Sequence, residues 1–189
     1  ARYESTELTV KRFCSYFGLE RLSDIRYPDC SLQLSISCFL AHFDHYGIQG
    51  MADEVFQNRQ RTSTRNGILK ADAVYRASKL LYDCGVEYLQ DVHKILGDPY
   101  FETNFQSIPG QTSGISLRYF YMLVGSEDFI KPDRMIARFL EKATHRRMTI
   151  PEMHTVLLGV VKLLSADYPQ LTPRRLDNMI WHYQRQADK

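Results

Sequence analysis

Apolar residues recur three and four positions apart along nearly the whole of this 189-residue chain, with no sustained polar–apolar alternation of the kind a half-buried strand needs. Each such segment has one stripe to bury, so the chain is predicted to be all-α. Helices are expected over 6–17, 31–45, 50–58, 69–84, 86–96, 114–124, 132–144, 150–165 and 173–185. Two of their starts carry a mechanism. Thr149 with Glu152 forms a capping box, and Thr172 precedes Pro173 as a cap before a proline in the first turn. The stretch 57–67 is almost wholly polar and holds Arg59, Arg61 and Arg65. It reads as a solvated connection, with phosphate contact as the alternative.

The length suits one compact unit or two small helical lobes with a real core. An apolar share of 44% and a charged share of 24% are ordinary for a globular chain, and no apolar run is long enough for a membrane span. The start, Ala1-Arg2-Tyr3-Glu4, has no basic-then-apolar leader, so a cytoplasmic location is expected. Cys14, Cys30, Cys38 and Cys84 are irregularly spaced with no Cys-x-x-Cys pair, which signals neither a zinc site nor an iron–sulfur cluster. A net charge of +2 does not by itself argue for nucleic acid.

Two segments carry the functional signal. In Ile108-Pro109-Gly110-Gln111-Thr112-Ser113-Gly114, proline and glycine set a tight turn, and the helix that follows offers its first amides and its positive end to a phosphate. In the second, Pro132 suits a first helical turn and Asp133 falls just inside it. On that helix Met135, Ile136, Phe139, Leu140 and Ala143 form the expected buried stripe, while Arg134, Arg138, Lys142 and His145 gather opposite. As plain structure, Asp133 would be an acid favouring a helix N-terminus, worth about 0.3–1 kcal/mol.

The order of these pieces resembles the helix-hairpin-helix base-excision DNA glycosylase superfamily (HhH-GPD), which includes endonuclease III. Leu69-Lys70-Ala71 through Leu80-Leu81 is similar to the Lys-Ala helix before the hairpin, and Ile108-Pro109-Gly110 to the Leu-Pro-Gly that opens it. Asp133, followed by Ile136 and Arg138, resembles the catalytic aspartate with its aliphatic and arginine. The resemblance implies two helical lobes with a cleft between them, approximately 1–30 plus 141–189 as one lobe and 31–140, with the hairpin at 108–114, as the other. Leu176, Met179, Ile180 and Trp181 would complete the terminal lobe as core.

It further implies a double-stranded DNA partner, a monomer, and contacts from Pro109, Gly110, Thr112, Ser113, Gly114, Arg134 and Arg138. A monovalent cation, K+ or Na+, would sit on the backbone of 108–113. His42, Asp44, His45 and Tyr46 would approach the flipped base, although their plainer reading is a polar helix end. Tyr119, Phe120 and Tyr121 could stack on that base, or serve as core. Three departures stand out. Thr112 occupies the place of a second hairpin glycine unless Gly114 takes that role. Gly114 also stands where bifunctional members carry the Schiff-base lysine, and no cysteine follows Cys84 to hold iron–sulfur. The implied activity is therefore monofunctional hydrolysis of the N-glycosidic bond. The competing readings are a non-catalytic helix-hairpin-helix DNA-binding or scaffolding module and a helical protein-interaction domain.

Overall fold

The computed structural model describes residues 3–21 and 27–187. Helices make up its regular structure, and among the described residues there is no strand, only an isolated antiparallel bridge between Arg61 and Leu69. No helix is long and apolar enough to cross a membrane among the described residues. The chain forms two compact units, residues 1–113 and 114–189.

The first unit holds α1 (Tyr3–Phe17), α2 (Ile36–Gly50), α3 (Lys70–Asp83) and α4 (Pro99–Ser107). Ser35 starts α2, its hydroxyl accepting from the amide of Cys38 at 3.2 Å. The break expected between 45 and 50 is a kink at Gly47, whose φ of 64° suits a residue without a Cβ. Beyond it the expected helix over 50–58 is only a wide π turn, Met51–Val55. The predicted helix over 86–96 is likewise a shorter 3-10 segment, Leu89–Lys94. Asp91 delays its start by turning back on the amides of Glu87 and Tyr88, each at 3.0 Å. Its ion pair with Lys94 and those amides hold the Asp91 carboxyl well down, to about 2.

Helix α4 is not among the predicted helices, although its signal stands in the chain. Asp98 caps the amides of Tyr100 and Phe101, and Pro99 fills the first turn. The core of this unit is a cluster of rings. Phe39, Phe43 and Phe56 are buried beside Met51, Ala52, Val55 and Ala71, with Phe13, Phe17 and Tyr75 packed against them. Phe13 meets Phe39 edge-on at 5.5 Å, so α1 belongs to this core. The lobes expected from the resemblance grouped 1–30 with 141–189, whereas the compact units divide at 113; residues 1–2, 22–26 and 188–189 of that grouping lie outside the described residues.

The second unit holds α5 (Ile115–Leu123), α6 (Arg134–Thr144), α7 (Ile150–Leu164) and α8 (Pro173–Ala187). The predicted capping box at Thr149 and Glu152 is present, and Thr172 accepts from the amide of Arg175 at the head of α8. Its main cluster is aliphatic, with Ile130, Ile136, Leu140, Met153, Leu157 and Ile180 buried together, and Tyr121 of α5 is buried too. Two stripe assignments are corrected. Ala143 is exposed and Ala137 packs on the core instead, because α6 ends one residue past Ala143 and the chain turns away at His145. On α8, Ile180 is buried but Met179 is 61% exposed, the two lying on different faces of one helix.

Candidate nucleic-acid interface

The segment after α4 is the tight turn its sequence predicts. Ile108 ends α4 in an extended conformation, the amide of Gln111 donates to the Ile108 carbonyl at 2.9 Å, and Gly110 takes φ 88°. Proline at the second position and a left-handed glycine at the third are what a type II turn requires. Thr112 and Ser113 are exposed. Thr112 keeps a negative φ, and Gly114, at φ 69°, is the residue in the left-handed conformation at the head of α5. Gly114, and not Thr112, therefore has the left-handed backbone that favours glycine. The Gln111 Oε1 is a buried acceptor with no hydrogen-bond partner.

The turn is braced from an unexpected place. Thr62, in the polar stretch 57–67, donates its hydroxyl to the Pro109 carbonyl at 2.8 Å and accepts from the amide of Ile68 at 3.2 Å. A Cβ on Gly110 would come within 2.6 Å of that side chain. The stretch is the largely exposed connection that was expected, and it is an ordered loop as well. Backbone bonds from Thr62 to Ile68 and from Lys70 to Gln60 close its ends, and a Cβ on Gly67 would collide with the backbone of Ser63.

In the second unit α6 begins at Arg134, two residues later than predicted, which leaves Pro132 outside the helix and moves Asp133 out of its first turn. Asp133 is instead the N-cap of α6, in an extended conformation. The shift follows from the carboxylate's geometry: Oδ1 accepts from the amides of Met135 at 2.8 Å and Ile136 at 3.4 Å, which only a residue outside the helix can do. Oδ2 lies 3.3 Å from the Lys131 ammonium, with the Asp133 side chain 25% exposed. Lys131 also rests 3.9 Å over the ring of Tyr119 on α5, and its backbone amide donates to Asp177 Oδ1 at 2.9 Å. The helix that opens at Gly114 and the aspartate that opens α6 are thus tied through one lysine.

Asp177 is buried, and that burial pushes its carboxyl up to about 6 against the Lys131 amide and charge, with Asp133 adding to the rise. Neither Lys131 nor Asp177 was a candidate from the sequence. They lie 46 positions apart, and no periodicity announces the pair. Arg134, Arg138, Lys142 and His145 are exposed as predicted. Tyr121 is completely buried, with Phe129 at 4.8 Å, so it is core and offers no face to a base, whereas Tyr119 remains 42% exposed. On α7, burial and then Arg118 press His154 toward its neutral form.

The base-pocket candidates do not converge on one point. His42 is half-buried, bonded to the Cys38 carbonyl and edge-on to Phe17 at 4.8 Å, while Tyr46 accepts a hydrogen bond from Tyr16 at 2.9 Å. His45 is exposed beside Tyr46. Asp44 is half a turn away and lines a separate open cavity of about 280 Å³ with Tyr75, Lys79 and Tyr82. Tyr16 and Phe17 of α1 are additions that the sequence did not single out. Among the described residues no group of three or more His, Cys, Asp or Glu side chains could hold a metal.

A family described as Domain of unknown function (DUF8548) matches residues 1–185. The chain belongs to that family. No curated protein and no solved structure matches this member of DUF8548.

Proposed function

We propose that this DUF8548 chain is a helix-hairpin-helix DNA glycosylase that grips double-stranded DNA with the 108–114 turn and removes a flipped base by hydrolysis. The observation that carries the reading is the Asp133 carboxylate, fixed at the head of α6 and joined through Lys131 and Tyr119 to the helix that leaves the turn. Extruding a base costs a few kcal/mol, least for a damaged or mismatched one. As the base departs, positive charge develops on the deoxyribose, and a carboxylate held rigidly beneath it stabilises that charge and orients water. Oδ1 is committed to the amides of α6, so Oδ2 is the atom that would face the sugar, exchanging Lys131 for the new cation.

The same reading gives two helical lobes around a cleft, a monomer, a cytoplasmic setting, and phosphate contacts from the turn together with Arg134 and Arg138. The unpartnered Gln111 Oε1 fits a K+ or Na+ ion at the turn, which would supply counter-charge for a phosphate. Gly114 in place of lysine makes the chain monofunctional.

The test is base release from duplexes carrying uracil, alkylated, oxidised or hypermodified bases. The wild-type chain is expected to leave abasic sites on one class and to give no borohydride-trapped lysine adduct. Asp133→Asn is expected to bind the same duplex with little change yet release nothing, because asparagine caps a helix as well as aspartate but carries no charge. Full activity in Asp133→Asn removes the residue from the chemistry. A second reading, a non-catalytic DNA-binding module, is favoured by the engagement of both Asp133 oxygens in the protein's own contacts. It expects retarded DNA on a gel and no abasic sites with any duplex.

A further inference from the structure

We propose that the arginine loop 59–67 is a second contact for the DNA backbone, carried to the 108–114 turn by Thr62. The inference rests on the DNA-binding reading above and names the surface that reading lacks.

The loop has the construction of a presented element. Residues 57–70 contain Arg59, Arg61, Arg65 and Lys70 and no acid. Arg59 is spent on a two-pronged ion pair with Asp53 at 2.6 and 2.7 Å, which anchors one end of the loop to the π turn. Lys70 donates to Gln60 at 2.7 Å, and Arg61, an exposed residue, uses its Nε on the Gly67 carbonyl at 2.8 Å. Arg65 is exposed at the tip. Among the described residues no carboxylate pairs with Arg61, Arg65 or Lys70, so their charge is not neutralised by the chain.

Placement decides the partner. The Thr62 hydroxyl holds the Pro109 carbonyl and the Ile68 amide at once, and its side chain fills the space that a Cβ on Gly110 would take. The glycine thus has two uses, a left-handed turn and a seat for Thr62. A loop that served only as a connection would need neither that seat nor the bonds that close its ends. Arg61 and Arg65 belong to the loop whose Thr62 is fastened to the turn, and such cations suit the next phosphates of the same duplex, since duplex DNA offers one charge for about every 1.7 Å of axis. The interaction is with the backbone, so it positions the duplex without reading its sequence.

The experiment is duplex binding by fluorescence anisotropy across a salt series, using the full chain. Substituting Arg61 and Arg65 together by glutamine is expected to lower the slope of log affinity against log salt by about 2, one for each phosphate contact. Thr62→Val is expected to weaken binding with every loop cation still present, and Thr62→Ser to restore it. Unchanged affinity and slope in the arginine double variant, with the wild-type chain binding the duplex, would overturn the loop's role and leave the turn's intact. Equal binding by Thr62→Val and wild type, at unchanged circular dichroism, would overturn the role of Thr62. No binding by the wild-type chain at low salt overturns the DNA reading itself, and this inference with it.

Discussion

The two units solve the same packing problem with different side chains. The first gathers rings from α1, α2, α3 and Phe56 just past the π turn, whereas the main cluster of the second is isoleucine, leucine and methionine from α6, α7 and α8 with Ile130 from the segment before α6. Straight helices present ridges at regular spacing, into which aliphatic side chains interdigitate. A helix kinked at Gly47 and widened at Met51–Val55 has no such regular ridge. Rings that tilt against one another, as Phe39 and Phe43 do at 5.2 Å and 78°, fill that irregular space with few large pieces. The lesson is that the irregular backbone and the aromatic core of the first unit belong together.

The largest expected effect would break this comparison outright. Phe43→Ala should cost about 3–5 kcal/mol and Leu157→Ala about 2–5 kcal/mol, with the phenylalanine site the worse because broken helices collapse less readily onto a large void. Urea denaturation measures both, and a clearly smaller loss at Phe43 would deny the rings their special role.

A smaller effect sharpens the description of the second unit, whose packed interior carries an acid. Asp177 titrates at about 6 when folded, above its ordinary 3.8, so the folded state binds the proton more tightly than the unfolded chain. Stability therefore falls as pH rises from about 4 to about 6 and is flat beyond. Asp177→Asn, which keeps an oxygen for the Lys131 amide, should gain about 1–3 kcal/mol at pH 8 and nothing at pH 4. A gain of the same size at both pH values would deny the cost of burying that charge.

The smallest effect concerns the helix start. Asp133→Ala should cost about 0.5–2 kcal/mol and Asp133→Asn only a few tenths. Equal losses in thermal melts would place the stabilisation in the Lys131 ion pair and not in the cap.

Much of the helical content was legible in the chain because it depends on neighbours in sequence. Spacing of three and four marks an amphipathic face, and Thr149 with Glu152 satisfies its own helix start. The Pro109-Gly110 turn was legible for the same reason, since each residue brings its own backbone preference. The helix over 86–96 failed because Asp91 offers the amides of Glu87 and Tyr88 a closer partner than a helical carbonyl. At the site, Asp133 was visible as an acid beside a helix start. Its lysine partner was two residues away and still went unread, because nothing local says that Lys131 folds back over Tyr119.

By itself, then, the sequence determined that this chain is built of helices, where most of them run, and which short segment turns tightly between two of them. Tertiary structure alone decided that Thr62 braces that turn across 47 positions and that Asp177 holds the Lys131 backbone across 46. The physical reason is the range of the forces. Backbone preference and side-chain periodicity act within one or two helical turns. A hydroxyl or a carboxylate, by contrast, is satisfied by whatever atom packing brings to it, and the order of residues does not name that atom.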